Sequence, residues 1–413
     1  MKILSGKAAE AFVERMAARS VRLDSVEPQV RSIVNAVRRG GDRALRRYAE
    51  RWDGLASKQA LRVGPTKIRQ AWKSASPQLR DALVHSARNI RQFCEWQKPV
   101  AWTRSRDGIS LGQMVIPLGS VGCYVPGGRH PLVSTLLMTV IPAQVAGVKN
   151  IRIASPNPSQ EVLAGCSMLG VREVYRIGGA QAVAALAYGT DTIARVDKIV
   201  GPGNVYVTVA KKLVSFDCTI DLIAGPTEAV VVSDTGNPQF IAADLVSQAE
   251  HDPEAISIFI TTHRGLAQAV SAETAGIAKK NVTARASLKR RGAILLARSR
   301  KQALAWANLL APEHITVSEE DVPFIQNAGS IFVGDFSPQA AGDYASGPNH
   351  VLPTSGQARF RGGLSVLDFV KLVTVQKLSQ SGLQRIATTV ECLAETEGLR
   401  AHAESIRARY ASA

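Results

Sequence analysis

The sequence is poor in aromatic residues and in cysteine. Aromatic side chains make up 5% of its 413 residues, and its five cysteines form no CxxC pair. The cysteine pattern argues against a disulfide framework and a thiolate zinc site, and it suits a reducing cytoplasm. We expect each cysteine to be a small buried residue rather than a nucleophile. The shortage of aromatic residues argues against the stacking surfaces of RNA-binding modules.

The sequence also lacks a long uninterrupted apolar segment. The longest apolar run, residues 132–146, contains Ser134, Thr135, Pro142 and Gln144. We therefore expect no membrane span, and the polar pattern that follows Met1 predicts no signal peptide. A chain of this length with 46% hydrophobic residues can bury a large core, in roughly two to four domains.

The charge is strongly positive, at +16, which raises the hypothesis of a nucleic-acid-binding protein. The basic residues, however, are spread over solvated faces with acidic residues among them, and no nucleic-acid docking motif accompanies them. The densest group lies on one helical segment: Arg38, Arg39, Arg43, Arg46, Arg47 and Arg51. We expect a minor share of the charge to attract an anionic cofactor.

The pattern of elements predicts the fold class. Residues 1–23 are predicted to form one short helix, and residues 24–97 a set of helices. Two later runs, over residues 120–214 and 229–310, alternate buried strands with helices, which is typical of βαβ units on parallel sheets. We predict an α/β fold with two Rossmann-like parallel-sheet domains, formed by residues 24–123 with 227–369 and by residues 124–226. Residues 370–413 are predicted to form a helical C-terminal arm.

Glycine-bearing turns lie where predicted strands pass into helices. They are Gly127-Gly128, Gly178-Gly179 and Gly201-Pro202-Gly203. Such turns let backbone amides and a helix N-terminus approach a phosphate, so together they favour a nucleotide crevice. None is a GxGxxG fingerprint, and each one alone could equally be a tight structural turn.

The stretch 237–253 predicts a helix, which begins at the N-cap Asn237 and ends at Asp252-Pro253. Asp244, Gln248 and His251 would share one polar stripe of this helix, and the last two could reach a single point. This spacing fits a metal chelate, but it also fits a solvated face that happens to carry a histidine.

Other acidic and imidazole side chains lie at element boundaries and in loops. Glu313 and His314 lie between a predicted helix and a predicted strand, where acid/base residues often occur, although the dipeptide alone is uninformative. Asp343 lies in a loop of turn-forming residues and could be either functional or an Asx-turn residue. The C-terminal segment holds a second carboxylate and imidazole, Glu397 and His402, and by itself His402 would be interpreted as an exposed helical histidine.

Taken together, the motifs resemble the histidinol dehydrogenase family over nearly the whole chain. They occur in the family's order: VGCYVPGG from Val121, GGAQAVAALAYGT from Gly178, VDKIVGPGN from Val196, DLIAGPTE from Asp221, SQAEHDP from Ser247, LAPEHI from Leu310, AGDYASGPNHVLPT from Ala341 and EGLRAH from Glu397.

The resemblance implies an enzyme that uses NAD to oxidise L-histidinol through the aldehyde to L-histidine. It also implies one zinc ion per subunit, bound by Gln248, His251, Asp343 and His402. In that family the last of these ligands comes from the partner subunit, so the resemblance implies a homodimer with shared active sites. We expect zinc to hold substrate nitrogens rather than to generate hydroxide. The metal and catalytic residues would belong to the 24–123 and 227–369 domain, and the NAD contacts to the 124–226 domain.

The resemblance also implies roles for individual residues. His314 matches the base that takes the alcohol proton, and Glu313 matches the residue that activates water for the second oxidation. The implied substrate contacts comprise these two residues, the four zinc ligands, Thr227, His350 and Glu397. The implied NAD contacts are Tyr124, Gln181 and Asn204.

The sequence departs from the family pattern at two places. Thr227 stands where many members have serine, so the hydroxyl is kept but the pocket gains a methyl group. Arg129 and His130 stand where small residues are frequent, and these basic groups would suit an anionic alcohol such as a sulfonated diol. Because Glu397 suits an amine, histidinol is preferred over that alternative. A basic nucleic-acid-binding protein remains a remote alternative.

Overall fold

The computed structural model describes residues 1–19, 23–127 and 132–409. The α-helices are α1 (Gly6–Ala17), α2 (Glu27–Trp52), α3 (Pro65–Ser74), α4 (Pro77–Gln97), α5 (Val133–Ala146), α6 (Gln160–Met168), α7 (Gly179–Tyr188), α8 (Val205–Val214), α9 (Pro238–Ala249), α10 (Arg264–Ala278), α11 (Val282–Arg290), α12 (Arg300–Leu310), α13 (Gln339–Tyr344), α14 (Gln380–Thr396) and α15 (Arg400–Arg407). The strands are β1 (Lys2–Ser5), β2 (Trp102–Arg106), β3 (Ile109–Pro117), β4 (Ser120–Tyr124), β5 (Asn150–Ala154), β6 (Glu173–Tyr175), β7 (Lys198–Val200), β8 (Thr219–Ile220), β9 (Glu228–Val232), β10 (Ile256–Thr261), β11 (Ala293–Leu296), β12 (His314–Val317), β13 (Ser330–Val333) and β14 (Val370–Leu378).

The strands form two parallel sheets, each covered by helices on both faces. The first sheet has the order β1-β11-β10-β9-β12-β13, and the second has the order β6-β5-β4-β7-β8. Every pairing within these sheets is parallel. The central strands β9 and β10 are buried along their whole length, as strands covered on both faces must be. This architecture confirms the predicted α/β fold with two parallel-sheet domains.

Hydrophobic cores lie on both sides of each sheet. One core of the first sheet contains residues of α1 and α12, and the core on the opposite face contains residues of α9 and α10. The second sheet is covered by α3 to α6 on one face and by α2, α7 and α8 on the other. Burial of these apolar faces is the main force that holds the helices on the sheets.

Residues 1–23 are predicted to form one short helix, but the structure begins with a strand. Lys2–Ser5 instead form β1, which pairs in parallel with Ala293–Leu296 at the edge of the first sheet, and only then does α1 begin. A strand of four residues has too few side chains to show a period of two by itself, so its pairing partner decides its structure.

The helices of residues 27–97 also pack differently from their predicted grouping. The prediction groups them with residues 227–369, but α2 contacts α7 and α8, α3 contacts α6, and α4 contacts α5, so all of them cover the second sheet. The boundary at residue 123 falls within β4, a strand of that same sheet. The apolar faces of amphipathic helices predict burial, but they do not predict which sheet buries them.

The C-terminal arm begins with a strand rather than a helix. β14 pairs antiparallel with β3, and β3 with β2, to form a third sheet that the sequence interpretation did not foresee. Both β2 and β14 are mostly exposed, and α14 and α15 follow them. Among the described residues, no helix is long and apolar enough to cross a membrane.

A buried ion pair joins the end of the second sheet to the rest of that domain. Lys211 donates to Asp221, and the exposed fractions of the two side chains are 2% and 0%. The carboxylate also accepts the amides of Gly201 at 2.7 Å and Leu222 at 2.6 Å. Gly201 has φ +112, and a side chain there would collide with the carbonyl of Tyr124.

Replacing Asp221 by asparagine is expected to destabilise the protein by about 3–5 kcal/mol, because it leaves the buried Lys211 without its counter-charge. Urea unfolding would measure the loss. Glu10→Gln is the matched control, because Glu10 pairs with Arg298 at the exposed surface, where the arginine is 71% accessible. We expect this control to leave the urea midpoint unchanged, and equal losses in the two variants would contradict the prediction.

Candidate active site

Glu313 and His314 lie at the amino edge of the first sheet. The preceding helix α12 ends at Leu310, and Ala311 takes the left-handed conformation with φ 45, which turns the chain sharply into β12. His314 is the first residue of β12, and it pairs with Ala229 of β9 and Ser330 of β13. The two bases are therefore held between neighbouring strands of a rigid sheet.

The carboxylate of Glu313 is buried and hydrogen-bonded. One oxygen accepts the Thr227 hydroxyl at 2.6 Å and the backbone amide of Glu228 at 3.0 Å. Burial raises the pKa of Glu313 to about 7, although His314 and these two hydrogen bonds oppose the increase. A carboxylate with this pKa can act as a base near neutral pH.

The imidazole of His314 lies between two carboxylates. Its Nδ1 is 3.7 Å from Glu313 and 3.4 Å from the carbonyl oxygen of Glu228, and its Nε2 is 3.5 Å from Asp343. Burial disfavours the charged ring, but the charges of Glu313 and Asp343 outweigh it and raise the pKa of His314. The ring also stacks obliquely on Phe332, with 5.9 Å between the centroids, a contact that the sequence interpretation missed.

Gln248 and Asp343 lie side by side next to these bases. Gln248, in the last turn of α9, is 1% exposed, and its amide nitrogen donates to Asp343 at 2.9 Å. Its amide oxygen accepts the Thr227 hydroxyl at 3.2 Å, so Thr227 links Gln248 to Glu313. Burial works against ionisation of Asp343, but the hydrogen bond and charge of His314 prevail and lower the pKa of Asp343. We call the set Thr227, Gln248, Glu313, His314 and Asp343 the base cluster.

The two remaining histidines of this region lie at the margin of the base cluster. His350 is partly buried, and its Nδ1 is 2.8 Å from the carbonyl oxygen of Asp343. Burial lowers the pKa of His350, although the charge and the backbone hydrogen bond of Asp343 oppose the decrease. His251 is exposed and lies beyond the end of α9 at Ala249, so the predicted helix over 237–253 stops earlier and His251 is not on its stripe.

The two predicted site residues of the C-terminal arm lie apart from the base cluster. Glu397 is the C-cap of α14 and His402 is in α15, and both are exposed. Among the described residues, neither side chain makes a hydrogen bond or an ion pair with the base cluster. Within that same part of the chain, no group of three or more His, Cys, Asp or Glu side chains could hold a metal ion.

The predicted cofactor contacts line one cavity at the carboxyl edge of the second sheet. This edge cavity has a volume of about 540 Å³. It is lined by Gln29, Ile33, Trp52, Asp53, Tyr124, Gly127, Pro156, Asn157, Gly179, Ala180, Gln181, Asn204 and Tyr206. Gly127, Gly178-Gly179 and Gly201 follow β4, β6 and β7, so they lie at this edge because those strands are parallel, whereas Gly128 lies outside the described residues.

Side chains that line the edge cavity accept hydrogen bonds from backbone amides at the N-termini of α7 and α8. Tyr124 accepts the amide of Gly179 at 3.1 Å, and burial raises the pKa of this phenol to about 12. Asn204 caps α8 by accepting the amides of the second and third residues after it, at 3.0 and 3.2 Å. Sequence analysis missed Asp53, which accepts the Gly178 amide at 2.9 Å and the Gln181 side-chain amide at 3.0 Å. Its position after α2 gave no signal, because only the tertiary packing of α2 brings it to this edge.

The two basic residues that suggested an anionic substrate, Arg129 and His130, lie outside the described residues. The other departure, Thr227, keeps its hydroxyl in the base cluster.

Comparison with known proteins connects this arrangement to one family. The family model for histidinol dehydrogenase matches residues 16–410. The histidinol dehydrogenase of Methanothermobacter thermautotrophicus is 47% identical over 402 residues, which cover 94% of each chain. That of Geobacter sulfurreducens is 46% identical over 400 residues, which cover 93% of each chain. The crystal structure of histidinol dehydrogenase from Elizabethkingia anophelis superposes with a TM-score of 0.95 at 34% identity, and the match covers 100% of this chain and 98% of that one. The chain therefore belongs to the histidinol dehydrogenase family.

Proposed function

We propose that this chain oxidises L-histidinol to L-histidine through the aldehyde, with NAD as the oxidant and one zinc ion per subunit. The base cluster carries the proposal. In it, the adjacent bases Glu313 and His314 lie beside the hydrogen-bonded pair of Gln248 and Asp343, and the chain belongs to the histidinol dehydrogenase family. The family match does not favour an anionic alcohol or a nucleic acid as the ligand. The five unpaired cysteines suit a cytoplasmic location.

His314 is proposed to take the proton of the alcohol in the first oxidation. The Glu228 carbonyl faces Nδ1, so the neutral ring keeps its proton there and offers the lone pair of Nε2. Glu313 is proposed to remove a proton from the water that attacks the aldehyde in the second oxidation. Two bases side by side suit two successive proton transfers. His350 and Thr227 are proposed to contact the substrate.

The zinc ligands are proposed to be Gln248, His251, Asp343 and His402. The amide and carboxylate of Gln248 and Asp343 are 2.9 Å apart, and rotation of the amide would place its oxygen beside the carboxylate. An oxygen-rich set completed by imidazoles fits zinc. When bound there, zinc would hold the imidazole and amine nitrogens of the substrate and so orient the alcohol.

A homodimer is proposed to complete the site. His402 and Glu397 are exposed and apart from the base cluster of their own chain, so a partner subunit could supply them. The C-terminal arm and the third sheet expose the apolar side chains of Trp102, Leu111, Met114, Leu372 and Leu393, as expected of a surface that a second copy covers. Glu397 of the partner would face the substrate ammonium.

NAD is proposed to bind in the edge cavity, against Tyr124, Gln181 and Asn204. The cavity is large enough for part of a dinucleotide, and Trp52 offers an exposed aromatic surface at its rim. NAD, when bound, accepts the hydride in each oxidation. Asp53 holds Gln181 and the start of α7 in place.

The purified protein is expected to form about two NADH per L-histidinol consumed, because each NAD accepts one hydride and the alcohol loses two. Spectrophotometry of NADH against chromatography of histidine would measure the ratio. A chelator should abolish turnover, and zinc should restore it. Turnover that persists after metal removal would contradict the zinc assignment, and a ratio of about one would contradict the second oxidation.

The rate of aldehyde oxidation is expected to fall as the pH drops through about 7. Glu313 acts as a carboxylate, which is present above its pKa and is lost by protonation below it, so kcat/KM should decrease about tenfold per pH unit on the acidic side. The measurement is kcat/KM for L-histidinal with NAD between about pH 5 and pH 9.

Glu313→Gln is the control for this pH profile, because it keeps the size of the side chain but cannot take a proton. The decrease of kcat/KM on the acidic side of the profile is called the acidic limb. The residual activity of Glu313→Gln should lack this acidic limb. A wild-type profile that stays flat below neutrality would rule out Glu313 as the base.

The shared site predicts complementation between two impaired subunits. Glu313→Gln and His402→Ala homodimers should both keep only a small residual rate of histidine formation, but a heterodimer purified with two different tags should contain one intact site. We therefore expect about half of the wild-type activity per dimer. Subunits that complete their own sites would instead give a heterodimer with only the residual rate.

A further inference from the structure

Glu228 is placed between the two bases of the site. It is the first residue of β9, and it is 1% exposed. Its backbone amide donates to the carboxylate of Glu313 at 3.0 Å, and its carbonyl oxygen is 3.4 Å from Nδ1 of His314. One peptide segment therefore contacts both bases, with its donor on the carboxylate and its acceptor on the imidazole.

The side chain of Glu228 is fixed by a buried pair of hydrogen bonds from Arg19. The guanidinium donates to both carboxylate oxygens, with 2.6 Å from Nε to Oε1, and its exposed fraction is only 11%. The amide of Ser355 donates to the same carboxylate at 2.8 Å. Arg19 also donates to the carbonyl oxygen of Leu310 at 2.8 Å, at the end of the helix that leads into Glu313. The pair thus connects β9 to the end of α12.

The charge of Glu228 also acts on Glu313. Burial is the main cause of the raised pKa of Glu313, and the negative charge of Glu228 raises it further, whereas His314 lowers it. His314 and Glu228 are the charged groups that act on this carboxylate from the strands beside it, and Thr227 adds an uncharged hydrogen bond. Arg19 balances the charge of Glu228 without contacting Glu313 itself.

We propose that Glu228 is a positioning residue for both bases: its backbone orients Glu313 and His314, and its carboxylate, held by Arg19, supplies the negative charge that keeps Glu313 a strong enough base to activate water. The proposal rests on the proposed role of Glu313 in the second oxidation. The proposal gives the buried pair of Arg19 and Glu228 a function. A role in folding alone would not require this pair to lie beside Glu313 and His314.

The test is the acidic limb of the pH profile for L-histidinal oxidation in Glu228→Gln. The amide keeps the shape and still accepts from Arg19 and Ser355, but the negative charge is lost. The limb is expected to move to lower pH, by up to roughly one unit. The plateau rate should also decrease, because a weaker base activates water less well.

Three further variants separate charge from structure. Arg19→Lys keeps the charge and loses the paired hydrogen bonds, so it should lower thermal stability without moving the limb. The double variant Arg19→Gln with Glu228→Gln removes both buried charges, so no unpaired charge is left to destabilise the fold, and it should move the limb in the same direction by a smaller amount. Asp321→Asn is the matched control, since Asp321 is 4% exposed and is held by Arg300 beyond the carboxyl end of β12. It should leave the limb in place.

A limb that does not move in either Glu228 variant, while Glu313→Gln abolishes it, would overturn this inference alone. An equal movement in Asp321→Asn would also overturn it, because the effect would then be a general result of losing a buried ion pair. A wild-type limb that survives Glu313→Gln would overturn the proposed role of Glu313, and this inference with it.

Discussion

The parallel pairing of β12 with β9 is the constraint on which the site depends. Its register places His314 opposite Ala229, so the residues that start both strands come together at one edge of the first sheet. Glu313 then meets Thr227 and the amide of Glu228, and His314 meets the carbonyl of Glu228. A shift of one residue would turn every side chain of β12 to the opposite face and separate the bases from these partners. The register therefore fixes the chemistry as well as the core.

The segment 221–227 joins the edge cavity of the second sheet to the base cluster of the first sheet. It leaves the second sheet at the carboxyl end of β8 and enters the first sheet at the amino end of β9, and it can span at most about 25 Å. Asp221 fixes its start to the Gly201 turn of the edge cavity, and Gly225 donates to Thr354 at 2.6 Å in its middle. Thr227, at its end, contacts both Gln248 and Glu313. Contacts along this short segment thus set the position of the edge cavity relative to the base cluster.

The base cluster combines burial with opposite charges. Desolvation alone would neutralise Glu313, Asp343 and His314, but the imidazole between the two carboxylates favours the charged forms of all three. The pKa of Asp343 is thereby lowered, while that of Glu313 is about 7. His402 lies on the surface apart from this cluster, and the third sheet exposes apolar side chains on the surface as well.

The sequence determined by itself the alternation of strands and helices, because periodicity and glycine turns are local signals. Strands alternate with helices over residues 120–214 and 229–310 as the sequence predicts, and Asn237 caps α9 as its residue type predicts. The sequence motifs also predicted the family, which the comparisons confirm. Local patterns did not reveal β1, the third sheet or the side of the molecule on which α2 packs, because pairing partners distant in sequence decide those features. The roles of Asp53, Glu228 and Arg19 likewise depend on tertiary contacts: a buried charge has no periodic signature, and its meaning comes from the groups that the fold brings within hydrogen-bonding distance.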